Sequence, residues 1–293
     1  MTREREGELF VLLLCLLESW FPILSLIAIP LVGALHAYAI VVAIATVVLL
    51  ALLLQRRQLG SLATPAAQRD LLFTSLFITL LFLCVFLGLQ YTTAGNMAVI
   101  LFLQLLFAYL YFNLFGAQRL TPQHSWGALL MGIGALVMLF PETFSLNRGD
   151  LLILAAAAIA PIANRYQQQA RRHVGSMTIL AYRNLVALPV LGAIAWSFEP
   201  SPGSEALLRA LPYLAAIALL VYVAAKILWV EALHRISITK MSAMVALLPL
   251  FTLIFAYLVL GEVPSPRQLT GIAPILAGGW LITRAGGEAE IRN

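Results

Sequence analysis

Charged and amide side chains set inside long apolar runs are the residues of this chain that could do chemistry. Glu18 stands about halfway along the first apolar run, four residues before Pro22 and so on the same helical face. Lys226 interrupts a later run, where Tyr222, Lys226 and Trp229 recur at i, i+4 and i+7 and form one polar-aromatic stripe on an α-helix. Ionisable groups are costly in lipid, so each defaults to a functional hypothesis. Tyr222 and Trp229 would flank a flat amphipathic ligand by stacking or cation–π contact while the Lys226 ammonium meets a carboxylate. A structural ion pair between Lys226 and Glu18 fits the same residues equally well. Arg183, between Tyr182 and Asn184, falls early in its run, which favours an architectural role near the cytoplasmic side. Asn96 and Gln104, eight residues apart, and Asn164, three past Pro161, are weaker candidates for ligand contact, because buried amides commonly bridge helices.

Other chemistries find no footing. The sequence has no Gly-rich phosphate loop, no HExxH and no Cys/His cluster, so neither a catalytic constellation, a metal nor a nucleotide cofactor is expected. Cys15 and Cys84 stand singly in apolar runs and read as small buried hydrophobes. His36, His124, His173 and His234 are scattered, mostly at the ends of runs.

The elements that must hold these residues follow from composition. A mean hydropathy of +0.95, with 62% hydrophobic and 11% charged residues, is incompatible with an ordinary water-soluble domain. The runs have membrane-spanning length and are mostly apolar all round, which predicts an all-α polytopic membrane protein. Ten spans are expected, at about 9–27, 35–54, 70–89, 93–115, 125–140, 150–165, 176–197, 210–230, 240–260 and 268–284. With the N-terminus in the cytoplasm, thirteen Arg and Lys residues fall inside and three, Arg148, Arg209 and Arg267, fall outside. That asymmetry supports ten spans with both termini cytoplasmic. The net charge of +5 is therefore a matter of topology, and no nucleic-acid partner is expected. The opening MTREREGELF lacks a small-residue cleavage pattern and reads as the start of an uncleaved first helix.

An internal duplication organises the spans. Residues 247–280 repeat the plan of residues 103–136 at an offset of 144, so that Thr121-Pro122 falls on Ser265-Pro266, Gly127 on Gly271 and Gly134 on Gly278. Each half, residues 1–145 and 146–293, then holds five helices. An odd number inverts the second copy in the bilayer, the architecture of secondary transporters with a site near the midplane. Pro22 and Pro161 occupy spans 1 and 6, corresponding helices of the two halves, and are expected to break them as hinges beside the path. The small residues Gly127, Gly132, Gly134, Ala273, Ala277 and Gly278 are expected to serve close helix packing.

The stretch LPLFTLIFAYLVLGEVPSPRQLTGIAPILAGGW, with Pro249, Leu260-Gly261-Glu262, Gln268, Gly271 and Gly278-Gly279, resembles the repeat signature of EamA-type members of the drug/metabolite transporter superfamily. The AYRN arginine, Arg183, resembles one typical of the second helix of a half. The resemblance covers the whole chain and implies a secondary transporter of small metabolites in the bacterial inner membrane. The first copy departs from the signature, with Leu105, Ala117 and Gln118 in place of Pro249, Gly261 and Glu262, and with Ala39 in place of Arg183. The N-terminal half, with TAGNMAVILFLQLLFAYLYFNLFG, resembles the YddG-type exporters, which implies export of aromatic amino acids and related compounds by alternating access. Spans 1, 3, 4, 6, 8 and 9 would line the cavity, and a monomer suffices. The Gly-Glu-Val-Pro-Ser-Pro corner is expected to cap helix ends and pack, not to touch substrate. The alternatives are a transporter of nucleotide-sugars or cationic drugs, or a non-transporting scaffold or lipid-modifying enzyme.

Overall fold

In the computed structural model of the chain, residues 3–114, 122–139, 147–233, 235, 244, 245 and 247–290 are described, and they form helices and no strand. The first half supplies α1 (Arg3–Val32), α2 (Ala34–Gln55), α3 (Gln68–Gly88), α4 (Ala94–Phe102), α5 (Gln104–Leu114) and α6 (Pro122–Leu139). The second supplies α7 (Arg148–Ala170), α8 (Ser176–Phe198), α9 (Ser204–Ala216), a π-helical segment (Ile217–Ala225), α10 (Lys226–Leu233), α11 (Leu248–Leu260) and α12 (Pro266–Glu290). Within the described residues, five helical stretches are long and apolar enough to cross a membrane: Arg5–Val32, Ala34–Gln55, Pro65–Gly88, Ser176–Phe198 and Ser204–Trp229. Ala94–Ala108, which joins α4 to the start of α5 through a turn at Leu103, and Leu248–Leu260 are shorter apolar helical stretches. The corner at 115–121 and the start of the ninth expected span lie outside the described residues.

Three expectations change. The fourth span is not one helix, because α4 and α5 meet at a tightened turn in which Leu103 N–H donates to Ile100 O over 3.0 Å. No proline or glycine marks this break, so the sequence carried no punctuation for it. Neither Pro22 nor Pro161 ends its helix, since α1 and α7 both continue through their prolines. Each ring removes one donor and leaves one carbonyl without its partner four residues back, at Glu18 and at Ala157, and the turns on either side hold the helix. Gly132 has open space around it and does not contribute to close packing.

Gly127, Gly134, Gly271 and Gly278 do let α6 and α12 touch backbone to backbone. A Cβ on Gly134 would lie 2.6 Å from Gly271 O, and one on Gly278 would collide with Gly127 O. The contact is crosswise: each glycine meets the sequence counterpart of the other. Span 2 likewise packs on span 7 (α2 on α8) and span 4 on span 9 (α4 on α11). Span 1 lies along span 8 as span 6 lies along span 3, which is α1 against α9, the π segment and α10, and α7 against α3.

Polar contacts tie helix ends together, and each joins ends that the span order puts on the same side. On the side expected to be cytoplasmic, the Ser61 and Thr178 hydroxyls lie 2.7 Å apart, Tyr182 donates to Gln68 (2.9 Å) and Arg235 pairs with Glu6 (3.5 Å). On the other side, the Glu199 carboxylate accepts from Leu35 and His36 N–H at 3.1 Å and lies 3.1 Å from His36 Nδ1. It sits beneath Gly33, whose φ of 84° and lack of a side chain leave room for it. Glu262 follows Gly261, which ends α11 at φ 68°, and accepts from Ala94 and Gly95 N–H at the start of α4, over 3.2 and 3.5 Å. A carboxylate there meets the positive end of the α4 dipole. The corner thus caps a helix end, as expected.

Candidate functional site

The centre of the bundle holds a cavity of about 180 Å³. Its wall comes from spans 1, 3, 4, 6, 8 and 9, together with Arg183 of α8. Glu18, Phe21 and Pro22 project from α1, and Ile78, Leu81 and Phe82 from α3. The α4–α5 break contributes Phe102 on one side and Gln104 on the other. Asn164 and Gln167 face in from α7, Lys226 and Trp229 from α10, and Leu248, Pro249 and Thr252 from α11. Along α7, α8 and α10 these positions lie from mid-helix toward the end that carries Arg171, Arg172 and Arg235.

Lys226 donates a hydrogen bond to the Glu18 carboxylate, and the two make an ion pair. Their side chains are 26% and 15% exposed, so the pair faces the cavity and is not sealed in the core. The geometry satisfies both sequence readings at once, since the ion pair is itself part of the cavity wall. Around it the wall is apolar and aromatic. Phe82 makes an edge contact with Phe21 (centroids 5.9 Å apart) and lies 5.0 Å from the Tyr222 ring.

Tyr222 sits differently from its expected place. It is 1% exposed behind Phe82 and is not part of the cavity wall, whereas Lys226 and Trp229 are. The i, i+4 argument assumed an α-helix, but Ile217–Ala225 is π-helical and its wider turn rotates Tyr222 off the Lys226 face. Asn96 also stands apart from the cavity. Its amide donates to Asp150 (3.3 Å) and its carbonyl accepts from Gln268 (2.6 Å), while Asp150 also accepts a hydrogen bond from the Thr92 hydroxyl. This cluster closes α4, α7 and α12 together on the side away from the arginine-rich ends. Gln104 and Asn164 do line the cavity, Pro22 lines it, and Pro161 is buried in α7 beside it.

Sequence reasoning undervalued Arg183. It is 3% exposed and lines the cavity, with its guanidinium carbon 5.9 Å from the Tyr222 ring centroid. Its distance from the start of α8 misdirected the reading, whereas the cost of burying a charge pointed the right way. Phe21, Phe82 and Gln167 carried no signal, since aromatic and amide residues are scattered through every run. Among the described residues no group of His, Cys, Asp and Glu could hold a metal ion.

Relatives share this framework. The model of the EamA-like transporter family matches residues 5–140 and again residues 147–284. The chain belongs to the EamA-like transporter family. It is accordingly a multi-pass membrane protein and a transporter of a small-molecule substrate. Among relatives, it is 22% identical over 196 residues to the uncharacterized transporter YoaV of Bacillus subtilis (strain 168), covering 65% of this chain and 67% of that one. It is 27% identical over 214 residues to an uncharacterized transporter of Archaeoglobus fulgidus, covering 70% and 72%. A solved crystal structure superposes with a TM-score of 0.68 over 98% of this chain and 99% of the other at 19% identity, which shows the shared fold of this EamA-like chain.

Proposed function

We propose that the protein exports aromatic amino acids and related small compounds across the bacterial inner membrane by alternating access, with both termini cytoplasmic. The observation that carries this reading is the mid-bundle cavity, where the Glu18–Lys226 pair and Arg183 stand in an otherwise apolar, aromatic wall. An amphipathic zwitterion with a flat apolar side chain matches that lining in both polarity and shape. Trp229 and Phe82 offer the stacking surfaces, Lys226 and Glu18 the charges, and Gln104 and Asn164 directional hydrogen bonds. The volume of about 180 Å³ is below the roughly 300–1,000 Å³ typical of sites for drug-sized ligands, which favours one small metabolite over a nucleotide-sugar.

Ten spans in two inverted halves, residues 1–145 and 146–293, provide the two-state element that alternating access needs. The double match of the family model and the crosswise contact of Gly127 with Gly278 and Gly134 with Gly271 support this symmetry. A two-fold relation makes contacts self-complementary in this way. Opening one side while closing the other then amounts to exchanging the conformations of the two halves. In the present conformation the Asp150–Asn96–Gln268 cluster and Glu262 hold the outer ends together, and Pro22 on the cavity wall and Pro161 within α7 would serve as hinges.

The test is counterflow in proteoliposomes loaded with unlabelled phenylalanine, tyrosine or tryptophan. Labelled phenylalanine should accumulate transiently and be displaced by the other two. Counterflow of labelled nucleotide-sugar or quaternary amine, with none of phenylalanine, would overturn the substrate class.

A further inference from the structure

We propose that Arg183 is the receptor for an acidic group on the transported molecule, so that the cavity selects for carboxylates. The inference rests on the transporter reading above and deepens it at one residue. Arg183 Nε and Nη2 are buried and have no hydrogen-bond partner, although the residue lines the cavity. A guanidinium offers five N–H donors in a planar fork that matches a carboxylate, and it does not escape burial by losing its proton. A charge held in this way needs an anion beside it.

The sole acid among the described lining residues is Glu18, and its carboxylate is engaged by Lys226. One acid against two cations leaves the empty cavity with an excess of one positive charge. Of the other neighbours, Tyr222 offers Arg183 its ring face, and the Tyr222 hydroxyl is itself buried without a partner. Thr252, on the α11 wall, has a second buried hydroxyl in the same condition. The unmet groups on the wall thus comprise a cationic fork and the Thr252 hydroxyl, with the Tyr222 hydroxyl behind them, a set that a carboxylate suits and an ammonium does not. The cavity thereby divides its work: Arg183 takes the carboxylate, Glu18 and Lys226 set the field for an adjacent ammonium, and the Phe82–Trp229 surfaces take the apolar body.

Thermal-shift titration of the purified full-length protein in detergent tests this without depending on transport. The probes are phenylalanine, 3-phenylpropionate (carboxylate only), 2-phenylethylamine (ammonium only) and sodium chloride. Both carboxylates should raise the melting temperature of the wild type, with 3-phenylpropionate binding about tenfold or more tighter than 2-phenylethylamine, the size of one charge-assisted contact. Arg183→Gln should lose that carboxylate preference, and Arg183→Lys, which keeps the charge but not the fork, should retain part of it. Binding of 2-phenylethylamine should persist in all three proteins and strengthen in Arg183→Gln, where one repelling cation is gone, which also reports that the variants fold. A wild type indifferent to both carboxylates, an Arg183→Gln variant with the preference intact, or equal protection by chloride alone would each overturn the assignment. Carboxylate binding without phenylalanine counterflow would leave Arg183 as the receptor and sink the aromatic amino acid reading instead.

Discussion

Glu18 and Lys226 do two jobs, and a pair of substitutions separates them. Removing one member of a buried ion pair leaves the other charge uncompensated, at a cost of roughly 3–5 kcal/mol when burial is complete. The residual exposure of both side chains places this pair toward the lower end of that range. Lys226→Ala should therefore lower both thermal stability and transport. The double variant Glu18→Gln/Lys226→Met should recover most of the stability in a melting curve and still transport poorly. Recovery of transport alongside stability would make the pair structural only. Trp229 acts by its ring face, so Trp229→Leu should raise the half-saturation concentration for tryptophan about three- to tenfold, from the roughly 0.5–1.5 kcal/mol of an aromatic contact. Initial rates at equal membrane expression would show it.

Among the elements, the two that deviate from a plain α-helix both open onto the cavity. The π-helical segment Ile217–Ala225 runs directly into Lys226, and the α4–α5 break places Gln104 at the cavity wall. Each shifts the register of the residues that follow, which is how Tyr222 came to pack against Phe82 while Lys226 faces Glu18. The end contacts of α4 carry a second prediction. Glu262 caps its first turn, and losing a cap of this kind costs about 0.5–2 kcal/mol. Glu262→Gln together with Asn96→Ala should loosen the outer closure. A cysteine introduced by Met97→Cys should then react faster with an impermeant thiol reagent applied from the outer side. Labelling unchanged from a Met97→Cys control would remove the cluster from the gate. The α6–α12 contact is less tolerant. Gly134→Val would push against the Gly271 backbone, and overpacking of this kind costs about 1–3 kcal/mol, visible as a lower melting temperature.

At the scale of the molecule, topology makes the firmest prediction. Reporter fusions active only in the cytoplasm should be active at both termini and after residue 172, and inactive after residue 202. The reverse pattern in the second half would mean that the halves are parallel, and would remove alternating access by exchange of inverted copies. The hydrogen bonds at helix ends are consistent with the inverted arrangement, because Glu199 reaches Leu35 and Glu262 reaches Ala94 only if those ends share a side.

The all-helical, membrane-embedded character of the chain was readable because apolar run length is a local quantity. The family was readable for a related reason: Gly261 ends α11 at a positive φ and Gly271 and Gly278 meet α6 backbone to backbone, so these positions stand out as punctuation in the sequence. Glu18 and Lys226 were readable as charges in apolar surroundings, but their pairing was only one of several possibilities, since 208 residues separate them. What tertiary structure decided was orientation. It turned Tyr222 away from the path through a π-helix that no residue type signals, placed Asn96 in an end cluster, and broke the fourth span at Leu103 without a proline or glycine. It also brought Arg183 to the cavity wall, where the acid of the described lining, Glu18, is engaged by Lys226. A charge in a run announces a cost, and only the packed neighbours reveal whether the protein or its cargo must meet it.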